Sequence, residues 1–395
     1  MLKERSQIHA NNLMTRVALV AACLIVSQLP LSIEGQYALK TMNRQSFESA
    51  LSGAVFGSTL NTRGRTSPSI LNVWSNNGPP LRYGGEGEYV SSVAVDPNNG
   101  RIVYAGSDHS KFGIGSVYKS TDAGENWTEF DQGLPDRPVW RLAVDPFKPT
   151  LVYAVVYEGP AGNGLYKSTD GGEQWYRTNV PGDQVNMFAI APSNSNIIYA
   201  ASEDSPFIFR VSTDRGATWD VLPLAVPPVY PYGALTVHPQ NPSMIYASGY
   251  GAACRSLDGG RSWTCNSYGG APSAKTWSFA IDPKYTNVIY AATDDGVFKS
   301  VNKGESWVRL GINTVPAYAV AIDPRDHNRV YVGVYFGGVY KSTDGGGTWS
   351  PFNDGMGFAS VSDLAFDGAG VFLHANGGGV FDVQVRDPGD FRNNR

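Results

Sequence analysis

The stretch "VYKSTDGGGTW", residues 339–349, decides the fold, because the chain writes it six times. The other copies are "VYKSTDAGENW" (117–127), "LYKSTDGGEQW" (165–175), "FRVSTDRGATW" (209–219), "CRSLDGGRSW" (254–263) and "VFKSVNKGESW" (297–307). Their closing tryptophans lie 42 to 48 residues apart. A period in this range, filled with strand-forming residues, is typical of the blades of a β-propeller.

A second motif recurs in step with the first. It begins with "SSVAVDP" (91–97) and returns as "WRLAVDP" (140–146), "NMFAIAP" (186–192), "GALTVHP" (233–239), "WSFAIDP" (277–283), "YAVAIDP" (318–324) and "SDLAFDG" (362–368). Apolar residues two apart, with a small residue between them, predict a strand with one tight face, as the innermost strand of a blade requires. The Asp-Pro pair that usually follows indicates a turn.

Each repeat therefore predicts four strands, named A to D from the channel outward. Strand A carries the second motif, strand B reads like "VYA", strand C reads "VYKS", and strand D starts at the tryptophan. The chain has seven A strands but six C–D turns, because the last C strand, 378–385, is followed by no tryptophan. We expect "SILNVWSNN" (69–77), with Trp74, to supply the missing D strand, since joining the termini removes free sheet edges.

These patterns predict an all-β fold: a single seven-bladed β-propeller of four-stranded antiparallel blades. The propeller is expected over residues 69–386, with a short tail at 387–395, and its last blade is closed by an N-terminal strand.

The C–D turn has the pattern S-x-D-x-G-x-x-W, as in "STDGGGTW" (342–349), and resembles the Asp-box or BNR repeat. Local chemistry explains the pattern. The Asp carboxylate can accept backbone N–H bonds within the turn, the Gly can take a positive φ, and the Trp covers apolar surface. Five copies keep the Asp and one has Asn302 instead. We therefore interpret these Asp residues as structural.

The N-terminus has a different character. Lys3, Arg5 and Arg16 precede the apolar run 17–31, which fits a secretory signal. We assign residues 1–35 to a signal peptide or an N-terminal anchor and residues 36–68 to a linker. The protein is then expected to be secreted, periplasmic or lumenal, or anchored in a membrane through 17–31 if that segment is not cleaved.

Two cysteines flank one copy of the turn. If strands C and D pair as a hairpin around it, Cys254 faces Cys265. We predict a cross-strand disulfide, which would persist outside the cytosol; two half-buried free thiols are the alternative.

Charge and composition exclude several functions. The formal net charge is −4 and no block of Lys or Arg occurs, so no nucleic-acid partner is predicted. The five His residues show no metal-ligand spacing, and the chain has neither a phosphate loop nor a G-x-S-x-G elbow. We predict no metal, no cofactor and a monomer.

Candidate site residues come from aligning the B–C loops, which face the channel mouth in propellers. Four residues after the strand-B aromatic, the blades present Asp108, Tyr157, Glu203, Tyr250, Asp294, Tyr335 and Asn376. Strand A opens with an aromatic residue in three blades, at Trp140, Trp277 and Tyr318. Aromatic faces among carboxylates suit a glycan or a peptide. The alternative is a solvated rim that binds nothing.

Two families with such repeats imply different functions. The layout resembles Ycf48-like photosystem II assembly factors, which are single seven-bladed propellers and bind proteins. The stretches "VAVDPNNGRIVYAGSD" (93–108) and "VIYAATDDGVFKS" (288–300) resemble xyloglucanase-type, family 74 glycoside hydrolases. In that family an Asp of the first blade is catalytic. Asp108 lies at the corresponding position, whereas the residues around Asp294 are more similar to the sequence motif of the family. Those enzymes place their other acid in a second propeller, which the repeats of this chain do not supply.

The leading hypothesis is an exported, non-catalytic propeller. It binds a glycan or a protein through Tyr157, Tyr250, Tyr335, Trp140, Trp277 and Tyr318. The alternative is a glycoside hydrolase that acts on a β-glucan through Asp108, Glu203 and Asp294, since paired carboxylates at about 5 to 9.5 Å can cleave a glycosidic bond.

Overall fold

The computed structural model describes part of the chain, all within one compact unit. The described residues are 74–76, 78–79, 88–109, 112–159, 162–182, 184–202, 208–222, 233–249, 251–271, 273–312, 315–356, 360–367, 370, 372–376 and 379–385. The predicted signal or anchor (1–35), linker (36–68) and tail (387–395), together with the propeller boundaries at 69 and 386, lie outside these residues and stay predictions. Among the described residues, no helix is long and apolar enough to span a membrane.

Seven four-stranded antiparallel sheets form the propeller ring, and the described residues contain no α-helix. Blade 1 has β2 (Glu88–Val95), β3 (Val103–His109), β4 (Val117–Ser120) and β5 (Thr128–Glu129). Blade 2 has β6 (Val139–Val144), β7 (Val152–Tyr157), β8 (Asn163–Ser168) and β9 (Trp175–Arg177). Blade 3 has β10 (Met187–Ile190), β11 (Ile198–Ser202), β12 (Ile208–Ser212) and β13 (Asp220–Val221).

The remaining blades follow the same order of strands A, B, C and D. Blade 4 has β14 (Leu235–His238), β15 (Asn241–Ser248), β16 (Ala252–Ser256) and β17 (Thr264–Ser267). Blade 5 has β18 (Thr276–Ile281), β19 (Ile289–Thr293), β20 (Gly296–Ser300) and β21 (Val308–Arg309). Blade 6 has β22 (Ala317–Ile322), β23 (Val330–Val334), β24 (Gly338–Ser342) and β25 (Ser350–Pro351). Blade 7 has β26 (Leu364–Phe366), β27 (Phe372–Asn376), β28 (Val380–Gln384) and, from the N-terminal side, β1 (Ser75–Asn76).

An N-terminal strand closes the last blade of the propeller, as predicted. Strand β1 pairs antiparallel with β28 and becomes strand D of blade 7. Trp74, which is 2% exposed, donates its indole Nε1–H to the backbone oxygen of Phe352 at 2.6 Å. Its own N–H donates to the Asp354 carbonyl at 2.7 Å. The closing segment is therefore also fastened to blade 6, and the predicted all-β, seven-bladed architecture is confirmed.

The apolar core lies between neighbouring blades. Between blades 5 and 6, for example, the buried Tyr290 and Ala292 pack with Ile322 and Val332, and the Asp-box residue Trp349 covers this cluster. A sheet that buries both faces against its neighbours needs apolar residues on both sides of its B strand. This explains the fully buried run Val330–Val334.

The Asp-box turn is held by its own side chains. Asp344 Oδ1 accepts hydrogen bonds from the Ser342 hydroxyl and the Thr348 N–H, both at 2.8 Å, and Oδ2 accepts the Thr348 hydroxyl at 2.7 Å. These donors, the backbone N–H of Thr348 first, lower the pKa of Asp344 to about 2. Asn302 accepts the Ser306 N–H at 3.0 Å in the same way. The carboxylate thus serves the turn, as the sequence predicts.

Two consecutive residues of the turn adopt positive φ. In blade 6 these are Gly345 (φ 68°) and Gly346 (φ 94°), and the N–H of Gly346 donates to Ser342 Oγ at 2.8 Å. The first of the pair need not be glycine, since Arg215 and Lys303 stand there in blades 3 and 5. This backbone conformation leaves the carbonyl of the first residue free of the turn, so that it can accept from outside.

That carbonyl accepts hydrogen bonds from the preceding blade. In blade 5, the Tyr290 hydroxyl and the Lys299 ammonium both donate to the Gly345 oxygen of blade 6, at 2.8 and 2.7 Å. We call this pair of donors the Tyr–Lys latch. Equivalent contacts join Tyr104 and Lys119 to Gly171, Tyr153 and Lys167 to Arg215, and Tyr246 and Arg255 to Lys303. The latch explains why "VYA" and "VYKS" repeat together.

The latch is present at four of the seven seams. The two seams beside blade 7 lack it, because that blade has no Asp-box turn and has Phe372 at the tyrosine position.

The seam between blades 3 and 4 lacks it for a different reason. In blade 3 the lysine of strand C is replaced by Val211, and the Tyr199 hydroxyl donates to the Pro242 carbonyl instead, at 3.0 Å. In blade 4, the blade on the other side of this seam, Cys254 pairs with Cys265 across strands C and D, and a disulfide joins them. The C–D hairpin of blade 4 is therefore fixed covalently where the latch is incomplete.

The A–B turns use a second carboxylate in a similar way. In four blades, Asp96, Asp145, Asp282 and Asp323 each accept the N–H groups two and three residues further on. In blade 4, His238 replaces the carboxylate and accepts the same two N–H groups on its Nδ1. The Asp of the second motif is therefore a turn residue.

We predict that removing the latch lowers the stability of the ring. Tyr290→Phe should cost about 1 kcal/mol, and Tyr290→Phe with Lys299→Met about 2–3 kcal/mol, because the second change leaves the Gly345 carbonyl buried without a donor. Urea unfolding followed by fluorescence measures the loss. Tyr176→Phe, at a residue that is 61% exposed, is the control. An unchanged midpoint in the double variant would contradict the role of the latch.

A buried histidine makes the closing blade sensitive to acid. His374, on β27, is fully buried, and in the described part of the molecule neither ring nitrogen has a hydrogen-bond partner. Burial lowers its pKa from 6.5 to about 4. The folded state therefore binds this proton less readily than the unfolded chain does. The associated stability is complete above about pH 6.5 and is lost as the pH falls toward 4.

We expect this titration to remove about 3 kcal/mol of unfolding free energy between pH 6.5 and 4. Urea midpoints measured across that range should fall for the wild type, while His374→Leu should show a smaller decline because it has no proton to take up. Tyr176→Phe, at an exposed residue, is the control and should keep the wild-type slope. Equal slopes for His374→Leu and the wild type would disprove the assignment.

Candidate functional site

A cavity opens at the end of the channel where the A strands begin. Its volume is about 490 Å³, and six of the seven blades contribute to its wall. The residues that open the A strands and line it are Ser91, Trp140, Asn186, Trp277, Tyr318 and Ser362. This is the face that carries the B–C and D–A loops, and the volume lies in the range of ordinary ligand pockets.

Bulges in the A strands aim these side chains at the cavity. In blade 2, Val139 pairs with Val156 and Arg141 with Val155, so Trp140 between them has no cross-strand partner. The same shift leaves Ser91, Trp277 and Tyr318 unpaired in blades 1, 5 and 6. A bulge turns one side chain away from the regular alternation of the strand. The sequence identifies the aromatic residues but gives no sign of the bulges.

The predicted aromatic residues form two groups. On blade 2, the rings of Trp140 and Tyr157 are stacked, with centroids 4.8 Å apart and an angle of 14°. On blades 5 and 6, Trp277 lies 5.4 Å from Tyr318, which lies 5.8 Å from Tyr335. Tyr335 is 47% exposed, whereas the other four are half-buried. Tyr250 lies outside the described residues.

Phe336 extends the second group, and our sequence reasoning missed it. Its ring lies 4.2 Å from that of Tyr335, and the side chain is 65% exposed. Its φ is 51°, a conformation that non-glycine residues seldom adopt. Its N–H donates to Ser360 Oγ at 3.1 Å. The signal available in the sequence is its position directly after Tyr335, in a loop that then continues with two glycines.

Asp108 lies at the end of β3 and is 8% exposed. Burial raises the pKa of its carboxyl, while the Tyr89 hydroxyl, the Trp140 indole and His109 oppose that rise. The Tyr89 hydroxyl donates to Asp108 Oδ2 at 3.0 Å, and burial together with this carboxylate raises the pKa of Tyr89 to about 12. Asp108 therefore lies beside the Trp140 group with one oxygen already bonded.

The other predicted acids take different positions. Asp294, which is half-buried, accepts the backbone N–H of Lys275 on Oδ1 at 2.8 Å and so braces the loop that leads into β18. It lies on blade 5, with two blades between it and Asp108 on the shorter way around the ring. Glu203 lies outside the described residues. Among those described, no group of three or more His, Cys, Asp or Glu residues could hold a metal ion.

Asn376, the seventh residue of the predicted circle, is fully buried and structural. Its amide donates to the carbonyls of Val90 and Ser91 on blade 1, at 3.1 and 3.0 Å. Its oxygen accepts the N–H groups of Ser362 and Asp363 on blade 7. Asn376 thus joins the last blade to the first and offers no group to a ligand.

Two charged residues in the cavity wall were not singled out from the sequence. Asp363 Oδ2 accepts Ser92 Oγ and the Val93 N–H, both at 3.0 Å, and Arg141 donates to the Gly233 carbonyl at 2.9 Å. Burial lowers the pKa of Arg141 and raises that of Asp363, and each charge opposes the shift of the other. Both occupy the second position of the strand-A motif, which is uncharged in the other five blades. That contrast could have identified them.

The family model of the BNR/Asp-box repeat matches residues 340–351, which contain the Asp-box turn of blade 6. No curated protein matches the sequence.

Solved structures of two kinds share the fold. A GH74 xyloglucanase from Xanthomonas campestris superimposes with a TM-score of 0.61 at 18% identity, covering 81% of this chain and 54% of that chain. YCF48 from Cyanidioschyzon merolae gives a TM-score of 0.57 at 16% identity, with 79% and 98% covered. A structure of YCF48 bound to D1 peptide gives 0.58 at 16% identity, with 81% and 99% covered.

This chain therefore spans about half the length of the xyloglucanase and nearly the whole of YCF48. At these identities the likeness shows the fold alone. The chain carries the BNR/Asp-box repeat on a seven-bladed propeller, and it is similar in fold to both kinds of protein.

Proposed function

We propose that this chain is a non-catalytic binding propeller whose channel mouth holds a glycan or a protein partner. The observation that carries the proposal is the set of bulges that turn Trp140, Trp277 and Tyr318 into the cavity. A regular strand would pair these residues within its sheet, so the bulges cost ladder bonds that a purely structural mouth does not need to lose. Aromatic side chains at a cavity mouth are the usual anchors of a bound partner.

The state of the carboxylates supports binding over catalysis. Asp108 is buried with one oxygen bonded to Tyr89, and Asp294 is bonded to the loop backbone of Lys275. The two lie on different sides of the ring, on blades 1 and 5. A glycosidase instead needs two carboxyl groups that face one bond from about 5 to 9.5 Å.

The lengths of the similar structures also favour binding over catalysis. The chain covers nearly all of the structure described as YCF48 bound to D1 peptide, but little more than half of the GH74 xyloglucanase. A single propeller of this size is thus sufficient, in one of the two kinds of protein, to bind a peptide.

We also propose that the protein works outside the cytosol, or in a lumen, either free or anchored through residues 17–31. Two features support this location. The apolar run 17–31 follows basic residues, and the Cys254–Cys265 disulfide joins the strands of blade 4. Disulfides persist mainly in oxidising compartments.

The binding proposal predicts that the aromatic groups carry affinity. Trp140→Ala, Trp277→Ala and Tyr335→Ala combined should reduce binding to a glycan array or a pulled-down partner by about a hundredfold or more, since each anchor is worth about 1–2 kcal/mol. Tyr176→Ala, an exposed aromatic on strand D of blade 2, is the matched control. Undiminished binding by the triple variant would remove this surface from consideration.

A second candidate function is glycoside hydrolysis, favoured by one observation. Burial raises the pKa of Asp108, as a carboxyl group that acts as a general acid near neutral pH requires. The fold likeness to GH74 enzymes is compatible with this role. In this reading Asp108 protonates the leaving oxygen, and Glu203 or Asp294 supplies the second carboxylate.

Hydrolysis predicts that Asp108→Asn, and one of Asp294→Asn and Glu203→Gln, each reduce the release of reducing sugars from a panel of β-glucans by at least about a hundredfold. Asp295→Asn, next to Asp294 and paired with Arg309, is a matched control. If the wild-type protein releases no sugar from any glucan of the panel, the hydrolase reading is dismissed and the binding reading stands.

A further inference from the structure

We propose that the channel cavity is a carboxylate site in which Arg141 binds an acidic end group of the ligand. This proposal rests on the proposed function, because it takes the aromatic mouth to be the entrance. It adds the chemical class of the ligand: a chain whose end carries a carboxylate, inserted into the channel along its axis.

Arg141 has donors to spare. The guanidinium has five N–H groups, and its one hydrogen bond within the described structure goes from an Nη to the Gly233 carbonyl at the start of blade 4, at 2.9 Å. The residue is half-buried and lines the cavity, so a ligand that enters this space would lie beside it. A guanidinium with unused donors suits a carboxylate, which can accept two of them in parallel.

The neighbouring carboxylate of Asp363 does not accept the unused N–H groups of Arg141. Asp363 lines the same cavity and raises the pKa of Arg141, but its oxygens already accept hydrogen bonds from Ser92, Val93 and Leu364. The bonds from Ser92 and Val93 fasten blade 7 to blade 1. The position of Asp363 is therefore set by the closure of the ring, and Arg141 keeps donors for a ligand.

The arrangement of the cavity favours an end group over an internal segment. Trp140 and Trp277 stand at the opening of the A strands, and Arg141 follows one residue further along β6. A chain end can pass between the aromatic faces and bring its terminal carboxylate to the guanidinium. An internal segment lying across the mouth would meet the rings but would present no charge at that depth.

A carboxylate at a chain end has two sources, a peptide C-terminus and an acidic sugar. The test uses matched probes for each: N-acetyl-Gly-Phe and its C-terminal amide, and a glucuronic acid disaccharide and its methyl ester. Binding to the full propeller is measured by calorimetry and ligand-observed NMR, with probes up to about 10 mM, because fragments of this size bind near the millimolar range.

The variants are Arg141→Gln, Arg141→Lys and, as a matched control, Arg101→Gln, an exposed arginine at the A–B turn of blade 1. We expect one acid probe to bind at least about tenfold more tightly than its neutral counterpart, and Arg141→Gln to erase that preference. Arg141→Lys should keep part of it, since the charge stays but the fork is lost. Thermal melts report separately whether loss of the Gly233 contact destabilises the ring.

The ligand is a peptide C-terminus if the peptide acid binds more tightly than its amide, and an acidic sugar if the glucuronic acid probe binds more tightly than its methyl ester. Equal binding of acid and neutral probes, a preference that survives in Arg141→Gln, or no saturable binding of any acid probe overturns the carboxylate site. If a partner identified by pull-down loses affinity in the Trp140/Trp277/Tyr335 variant but not in Arg141→Gln, the binding function stands and this inference alone fails.

Discussion

The ring depends on one kind of acceptor, the backbone carbonyl that four of the six Asp-box turns present to the preceding blade. The Ser–Asp hydrogen bonds hold the turn, two positive φ angles leave the carbonyl free, and a tyrosine and a lysine from the neighbouring blade donate to it. The motif that looks like a local turn signal is thus also an inter-blade contact. This explains why its copies remain recognisable around the ring. The contact is absent beside Val211, which replaces the lysine, and at the two seams of blade 7, which has no Asp-box turn.

The fold could be predicted from the repeat because one sequence pattern reflects the blade length, the innermost strand and the closing strand together. The tryptophan interval gave the blade length, the alternation in strand A gave the innermost strand, and the missing seventh turn pointed to Trp74. The latch itself could not be predicted. It joins residues such as Lys299 and Gly345, which are far apart in sequence, and only the packing of one sheet against the next brings them together.

The site was less predictable, for the same reason. Counting residues from strand B placed Asp108, Tyr157 and Tyr335 near the mouth, but it also selected Asn376, whose amide ties blade 7 to blade 1. Loop counting records distance along the chain and carries no information on hydrogen bonding. The charged pair Arg141 and Asp363 was missed because it lies inside a strand motif that otherwise reads as core. Comparing blades position by position, rather than searching for loop residues, would have found it.

The bulge at the start of the A strands has a consequence for how such a protein changes over time. The displaced residue makes no ladder bond, so serine, tryptophan and tyrosine occupy the same socket in blades 1, 2, 5 and 6 without altering the sheet behind them. Blade 4 is closed to this exchange, because any Cβ at Gly233 would collide with Ser248. Preference for a new partner can therefore arise through single replacements in a few interchangeable sockets, while the scaffold that carries them stays constant.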